Sequence, residues 1–289
     1  MPRWAGAAVL MLCALDALSA QAPPARTPIV VPLRPPADSE IPDDEVGKAI
    51  RRGLALMLAT RDSLPENVGN RLRCVSCHPD EGRRPNAMPW VGVYGKFPQY
   101  RARSGRVNLL EDRINECFQR SMNGRALEPD SRAMRDIVAY MAFLSRGIPM
   151  GADVEGQGLP KLPVTRGDTA AGAELFAARC ARCHGSDGQG TDLAPPPWGP
   201  QSFNIGAGMA RVRTAAAFIR YNMPFDQPGT LTDQQALDVA AYVTSRPRPD
   251  FAGKERDWPN GDPPPDVAYP TTAAQHKADS AAGRASPRP

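Results

Sequence analysis

Two copies of the pattern Cys-x-x-Cys-His constrain this chain more than any other feature. They are Cys74-Val-Ser-Cys77-His78 and Cys180-Ala-Arg-Cys183-His184. Two thiols and an imidazole this close together are what covalent heme attachment requires, because each thiol adds to a heme vinyl group and the histidine ligates the iron. The sequence therefore predicts two covalently bound heme c groups, with His78 and His184 as axial ligands.

The N-terminus has the pattern of an export signal. Arg3 precedes a mostly apolar run from Ala5 to Leu18, and Leu18-Ser19-Ala20 resembles a small-residue cleavage site. The run is short for a transmembrane helix. We therefore predict a cleaved signal peptide over residues 1–20 and a periplasmic mature protein with no membrane span. The net charge of +4 gives no reason to expect binding to nucleic acid or to a membrane.

The two motifs lie in units that share one plan. Each unit has a helix before the motif, a loop rich in Pro and Gly, a further helical segment and a closing helix. The closing helices carry Asp136-Ile-Val-Ala-Tyr140 and Asp238-Val-Ala-Ala-Tyr242. Apolar residues at helical spacing predict an all-α fold. We predict the following organisation: a Pro-rich segment over 21–42, a first domain over 43–150, a linker over 151–166, a second domain over 167–250 and a disordered tail over 251–289.

The repeat also indicates a second axial ligand for the heme of the second unit. Met223 lies 39 residues after His184. Pro224 disfavours helical geometry at Met223 and so places it on a loop. Met223 is therefore the predicted ligand, with Met209 as the nearby competitor. A methionine ligand raises the reduction potential of a heme.

The first unit leaves its second axial ligand open. Cys117 lies 39 residues after His78, at the position that corresponds to Met223 in the repeat. His/Cys ligation through Cys117 therefore competes with His/Met ligation through Met122 or Met88. Cys117 also fits a free thiol buried on the apolar face of a helix, which is a common state for cysteine.

A basic segment surrounds Cys117. Residues 101–125 contain six arginines and three acidic residues. On a helix, Arg113, Cys117 and Ser121 would share a face at spacings of four residues. Arginine suits oxyanions because its guanidinium stays charged and donates hydrogen bonds in pairs. A solvated basic face, or a docking patch for an acidic partner, would show the same composition.

Three stretches of the first domain carry a more specific resemblance. They are Pro89-Trp-Val-Gly-Val, Gln99-Tyr-Arg-Ala-Arg-Ser-Gly105 and Arg113-Ile-Asn-Glu-Cys117-Phe-Gln-Arg-Ser-Met-Asn-Gly124. They resemble the diheme thiosulfate dehydrogenases, which consist of two tandem class I cytochrome c domains. The resemblance implies His/Cys ligation of the first heme by Cys117 and a His/Met relay heme in the second domain. It also implies that Arg103 and Arg113 hold the anionic substrate and that Ser121 belongs to the same site.

The resemblance implies that two thiosulfate ions are oxidised to tetrathionate, and it leaves the reverse reaction open. Electrons would pass from the first heme to the second, and then to a soluble or membrane-associated cytochrome acceptor. A transient bond between Cys117 and the substrate sulfur is also implied. Asn222 stands where some members carry a lysine that exchanges with the methionine ligand, so that exchange is not expected here.

Three rival functions remain on the sequence alone. The first is a non-enzymatic diheme electron-transfer cytochrome, for which the basic segment would be a docking surface. The second is another diheme enzyme such as a peroxidase, although no further histidine stands in position to handle protons. The third is a zinc or thiol redox protein, which would leave the histidine of both motifs without a role.

Overall fold

The computed structural model describes Met1 and residues 28–163 and 166–281. The predicted signal peptide lies outside the described residues, apart from Met1. The helices are α1 Glu45–Leu58, α2 Thr60–Ser63, α3 Pro79–Gly82, α4 Leu110–Glu116, α5 Arg132–Leu144, α6 Thr169–Arg179, α7 Ala181–His184, α8 Val212–Asn222, α9 Asp233–Ser245 and α10 Thr272–Ala281. The predicted all-α class is confirmed, since the described strands are only two or three residues long.

The strands form two small pairs. β1 (Val30–Val31) pairs in parallel with β4 (Asp153–Val154), so the Pro-rich N-terminal segment and the predicted linker are joined beside the first domain. β2 (Gln99–Arg101) and β3 (Arg106–Asn108) form an antiparallel hairpin. The sequence indicated only a loop for this hairpin, because Pro and Gly surround it and its strands are very short.

The first and last long helices of the first domain cross at a glycine. Helix α1 packs against α5, and a Cβ atom at Gly53 would overlap the backbone carbonyl of Asp136. Asp44 caps α1 through the amide of Gly47, and Ser131 caps α5. These caps satisfy amides at the helix starts that have no partner within the helix.

The second domain repeats this crossing. Helix α6 packs against α9, and a Cβ atom at Gly172 would overlap the carbonyl of Asp238. A capping box formed by Thr232 and Gln235 starts α9, and Asp168 caps α6. The same glycine-to-carbonyl approach in both units shows that the sequence repeat is also a structural repeat.

The two domains share part of one hydrophobic core. Phe203, Ala207 and Ala210 come from the loop of the second domain, but they belong to the core cluster of the first. Two hydrogen bonds also join the domains. The Asn70 side-chain amide donates to the carbonyl oxygen of Ser202, and the Arg71 backbone N–H donates to the carbonyl oxygen of Gln201. The domains are therefore packed together through buried apolar and polar contacts.

The predicted disorder from residue 251 onward does not hold for residues 251–281. Asp257, Trp258 and Tyr269 are buried there. Asp257 forms an ion pair with Arg120 of the first domain. The Pro-rich, charged composition suggested disorder, whereas the few large side chains of this segment find a tertiary surface to pack on. Among the described residues, no helix is both long and apolar enough to cross a bilayer.

Candidate functional site

A cavity of about 440 Å³ lies in the first domain. Cys74, Cys77 and His78 of the first motif line it, and so does Cys117. Most of the remaining wall is apolar and includes Met57, Leu72, Val93, Phe97, Leu110, Ile114, Phe118, Ile137 and Met141. A cavity of this kind, with apolar walls and a few polar groups at fixed places, is typical of a cofactor site.

His78 is oriented for metal ligation. Its Nδ1 atom lies 2.6 Å from the carbonyl oxygen of Met88, and a carbonyl only accepts, so Nδ1 carries the hydrogen and Nε2 is left for the iron. Burial lowers the pKa of His78 to about 4, which keeps the imidazole neutral, as a metal ligand must be. The first cysteine of the motif is also held in position, because the Oγ1 atom of Thr60 donates a hydrogen bond to the Sγ atom of Cys74 at 3.3 Å.

The second motif has the same arrangement. The Nδ1 atom of His184 lies 2.7 Å from the carbonyl oxygen of Pro195, and burial lowers the pKa of His184. Phe176, Trp198 and Tyr242 pack around this region. Cys180 caps the short helix α7, which contains Cys183 and ends at His184. Both donor sets therefore fit heme c, with two thiols and an oriented neutral imidazole in each domain.

The half-buried Arg248, which follows α9 in the chain, also suits a heme. The guanidinium of Arg248 lies over the ring of Phe203, 4.4 Å from its centroid, and burial lowers the pKa of Arg248 to about 10. Its Nε and Nη1 atoms have no hydrogen-bond acceptor among the described residues. A buried cation without an anion is costly, and heme carries carboxylates of the complementary charge.

Cys117 begins a π-helical turn, Cys117–Ser121, directly after α4. The Nη1 atom of Arg113 lies 3.0 Å from the Cys117 Sγ and donates a hydrogen bond to it. The negative charge of a Cys117 thiolate raises the pKa of Arg113, and Glu116, 3.6 Å away, acts in the same direction. Arg113, Cys117 and Ser121 all line the cavity.

The two other candidate ligands of the first heme also line the cavity. The backbone of Met88 is bonded to His78, which puts Met88 beside the histidine ligand. Met122 is buried, and its backbone N–H donates to the carbonyl oxygen of Cys117. Cys117 as axial ligand of the first heme therefore stays a prediction.

The structure does not place Arg103 in the cavity wall. Arg103 donates from Nη1 to the carbonyl oxygen of Gly206, at 3.0 Å, and lies over the ring of Trp258. Arg101, two residues earlier, lines the cavity instead. Burial and the nearby charge of Arg113 lower the pKa of Arg101. Arg101 belongs to the basic segment that the sequence analysis identified. Which arginines of that segment line the cavity becomes clear only from the fold of the β2–β3 hairpin.

Met223 follows directly after α8 with an extended backbone, as Pro224 predicted. Its neighbour Asn222 is fully buried and donates from Nδ2 to the carbonyl oxygen of Asn86, in the first domain. Asn222 therefore joins the two domains beside the predicted ligand. The sequence contained no signal for this contact. Ligation of the second iron by Met223 also stays a prediction.

Two family models match the two domains. The SoxA/TsdA cytochrome c domain matches residues 66–150, and the family of the cbb3-type cytochrome c oxidase subunit III matches residues 167–243. The chain is 48% identical over 242 residues to a thiosulfate dehydrogenase of Psychrobacter arcticus, a match that covers 81% of this chain and 74% of that protein. It is 48% identical over 238 residues to a thiosulfate dehydrogenase of Allochromatium vinosum, covering 78% and 88% of the two chains.

A solved structure is similar over the same region. The thiosulfate dehydrogenase TsdBA from Marichromatium purpuratum in its as-isolated form superposes with a TM-score of 0.75 at 36% identity. The match covers 81% of this chain and 54% of that longer protein.

The two domains and their two attachment sites define a c-type cytochrome with two covalently bound heme c groups. The expectation of two tandem cytochrome c domains is confirmed. The similarity over most of the chain then specifies the family: this protein belongs to the thiosulfate dehydrogenases.

Proposed function

We propose that this protein is a periplasmic enzyme that oxidises two thiosulfate ions to tetrathionate. The observation that carries the proposal is the position of Cys117. It lies on the wall of the cavity that also holds Cys74, Cys77 and His78, and Arg113 donates a hydrogen bond to its sulfur. A thiol at the heme site that accepts a hydrogen bond from an arginine is suited to a reaction of sulfur anions. Electron transfer alone would not need such a group.

His78 and Cys117 would hold the iron of the first heme, and His184 and Met223 that of the second. The hemes, when bound, supply one-electron redox chemistry and conduction to an external cytochrome acceptor. The fixed imidazole orientation in each domain comes from the protein, through the carbonyls of Met88 and Pro195.

The main physical obstacle is the repulsion between two thiosulfate dianions. At a separation of 4 Å in water this repulsion is about 4 kcal/mol, and it grows in a medium of lower dielectric constant. Arg113 and Arg101 line the cavity and offset it. The Ser121 hydroxyl lies on the same wall and is available as a hydrogen-bond donor. Arg103 contributes positive charge from the adjacent hairpin, without lining the cavity.

In the proposed mechanism Cys117 bonds covalently to the substrate, and the reaction takes two steps. First, the Cys117 thiolate forms a sulfur–sulfur bond with the outer sulfur of one thiosulfate, and the two electrons lost in this oxidation reduce the external acceptor. Second, the outer sulfur of another thiosulfate attacks the bound sulfur, which forms tetrathionate and returns the Cys117 thiolate. The hydrogen bond from Arg113 stabilises the returning thiolate as the bond to Cys117 breaks.

The test is to add thiosulfate to the purified diheme protein with ferricyanide as acceptor and to quantify tetrathionate. We expect one tetrathionate for every two thiosulfates consumed and every two ferricyanides reduced. If ferricyanide is not reduced over a broad pH range, although both hemes are attached, the protein is an electron carrier instead. The basic segment around Cys117 would then be a docking surface.

A further inference from the structure

The segment that follows the second domain returns to the first domain. We call residues 251–271 the C-terminal strap. Its composition is rich in Pro, Gly and charged residues. Asp257, Trp258 and Tyr269 are nevertheless buried, with less than 10% of each residue exposed to solvent. Side chains of this size do not become buried unless they pack on a defined surface. That surface includes Arg103 and Arg120, which lie on the elements that carry Arg101 and Cys117 into the cavity wall.

The strap contacts the β2–β3 hairpin at several points. The backbone N–H of Trp258 donates to the carbonyl oxygen of Arg103 at 2.9 Å, and the Arg103 guanidinium lies over the Trp258 ring, 5.0 Å from its centroid. The ring of Pro259 packs against Gly105, whose φ of +66° favours glycine. The Asn260 side chain donates to the Tyr100 hydroxyl at 2.9 Å. The turn of the hairpin and its first strand are both held in this way.

The strap also contacts the turn that begins at Cys117. Arg120 in that turn forms two hydrogen bonds with the Asp257 carboxylate, at 2.7 and 2.8 Å, and Tyr269 donates to the same carboxylate at 2.6 Å. Arg103 and Arg120 both donate to the carbonyl oxygen of Gly206. Two like charges are therefore close together, and burial and the charge of Arg120 lower the pKa of Arg103 to about 10.

We propose that the C-terminal strap positions two elements of the substrate site, the hairpin that carries Arg101 into the cavity wall and the turn that begins at Cys117. Trp258 positions Arg103 and, through it, the hairpin, while Asp257 positions Arg120 and, through it, the turn that begins at Cys117. These are positioning residues, because neither of them lines the cavity. The role in substrate binding rests on the proposed thiosulfate oxidation, whereas the positioning of the hairpin does not depend on it.

The physical argument concerns freedom of motion. A hairpin with strands of three residues has too few backbone hydrogen bonds to hold its own shape. A site whose elements are fixed before an anion arrives binds it at lower cost, because less conformational freedom is lost on binding. Stacking of Arg103 on Trp258 and the ion pair of Arg120 with Asp257 hold the hairpin that carries Arg101 and the turn that begins at Cys117 in this way. Asp257 also offsets the repulsion between the two arginines.

The first test measures amide hydrogen exchange in the diheme protein. Trp258→Ala removes the ring beneath Arg103, so amides of residues 99–108 are expected to exchange about tenfold faster. Trp258→Phe keeps an aromatic face and is expected to restore most of the protection. Amides of α9 serve as the internal control and should not change. Unchanged exchange at 99–108 in Trp258→Ala would overturn the proposal.

The second test measures steady-state kinetics with thiosulfate and ferricyanide. Trp258→Ala is expected to raise KM about fivefold, with kcat within about twofold, because a cation–π contact of ordinary strength is lost. The absorption spectrum of the first heme should remain as in the wild type. Asp257→Asn, which acts through Arg120, is expected to raise KM as well and serves if Trp258→Ala does not fold. The matched control ends the chain after Thr271, which removes α10 and retains the strap.

The two tests separate the two proposals. Faster exchange with an unchanged KM would overturn the role of the strap in substrate binding. A wild-type protein that does not oxidise thiosulfate would contradict the proposed function, and the exchange rates would then decide alone whether the strap holds the hairpin.

Discussion

At the scale of single residues, the properties of the heme sites depend on the hydrogen bonds of a few side chains. The carbonyl oxygens of Met88 and Pro195 take the Nδ1 hydrogens of His78 and His184, so each imidazole can bind iron only through Nε2. The hydrogen bond from Arg113 acts on Cys117 in a comparable way, because it stabilises the anionic form of the sulfur.

Replacing Cys117 with glycine tests its proposed role in the reaction. Cys117→Gly is expected to abolish thiosulfate turnover, because it removes the sulfur that we propose to ligate the iron and to bond the substrate. Both hemes should remain attached, since Cys74, Cys77, Cys180 and Cys183 are untouched. The checks are a ferricyanide assay and heme quantification under denaturing conditions. Retained turnover would remove Cys117 from the mechanism.

The β2–β3 hairpin offers a matched pair of arginines for testing substrate binding. Arg101 and Arg106 are register partners on opposite strands. Arg101 lines the cavity, whereas the Arg106 side chain is 67% exposed. Arg101→Gln is expected to raise the KM for thiosulfate about tenfold, by the loss of one charge-assisted hydrogen bond. Arg106→Gln removes the same charge and should leave KM within about twofold. Equal effects would point to general charge attraction rather than a binding contact.

At the scale of elements, the helix crossings hold the framework on which the heme sites stand. Gly53 and Gly172 bring α1 onto α5 and α6 onto α9, and each approaches a backbone carbonyl that cannot move without moving its helix. Tyr140 and Tyr242 follow that carbonyl by four residues in the two closing helices. The close approach therefore places corresponding aromatic side chains next to corresponding heme sites.

A methyl group at the second crossing should therefore be costly. Gly172→Ala is expected to lower the free energy of unfolding by about 2 kcal/mol, because overpacking against a rigid backbone forces the helices apart. Gly208→Ala is the control, since no atom lies within 4 Å of its added Cβ. Denaturant unfolding followed by far-UV circular dichroism gives both values. Equal stability of the two variants would show that α6 adjusts freely at the crossing.

At the scale of the whole molecule, the domains are joined by more than a linker. Phe203 of the second domain completes the core of the first, and Asn222 bonds to the carbonyl of Asn86 across the interface. The strap adds a third connection through the Arg120–Asp257 ion pair. Because buried contacts of this kind resist separation, the two heme sites keep a fixed relation, as electron transfer between them requires.

Truncation of Phe203 tests this shared core. Phe203→Ala is expected to lower the free energy of unfolding by about 3 kcal/mol, the typical cost of emptying a buried phenylalanine site. The wild type should unfold in one transition, and the variant at a lower denaturant concentration. Leu193→Ala, at a side chain that is 78% exposed, should change little. Heme absorbance and circular dichroism give the midpoints. An unchanged midpoint in Phe203→Ala would show that the domains are stable independently.

The sequence by itself determined the parts of this protein that depend on local spacing. The two heme motifs and the spacing of Arg113, Cys117 and Ser121 involve residues within a few positions of one another, where turn geometry is nearly fixed. The repeat becomes visible when two such local patterns are compared. The resemblance carried by the first domain predicted the family.

Only the tertiary structure decided which arginine reaches the cavity and where the C-terminal segment goes. Arg103 bonds a carbonyl 103 residues away, and Arg120 pairs with an acid 137 residues away. Composition suggested disorder for that segment because a local window cannot show the surface that buries Trp258. Contacts between positions so distant in the chain leave no periodic pattern in the sequence, since they arise only when the folded domains supply both partners.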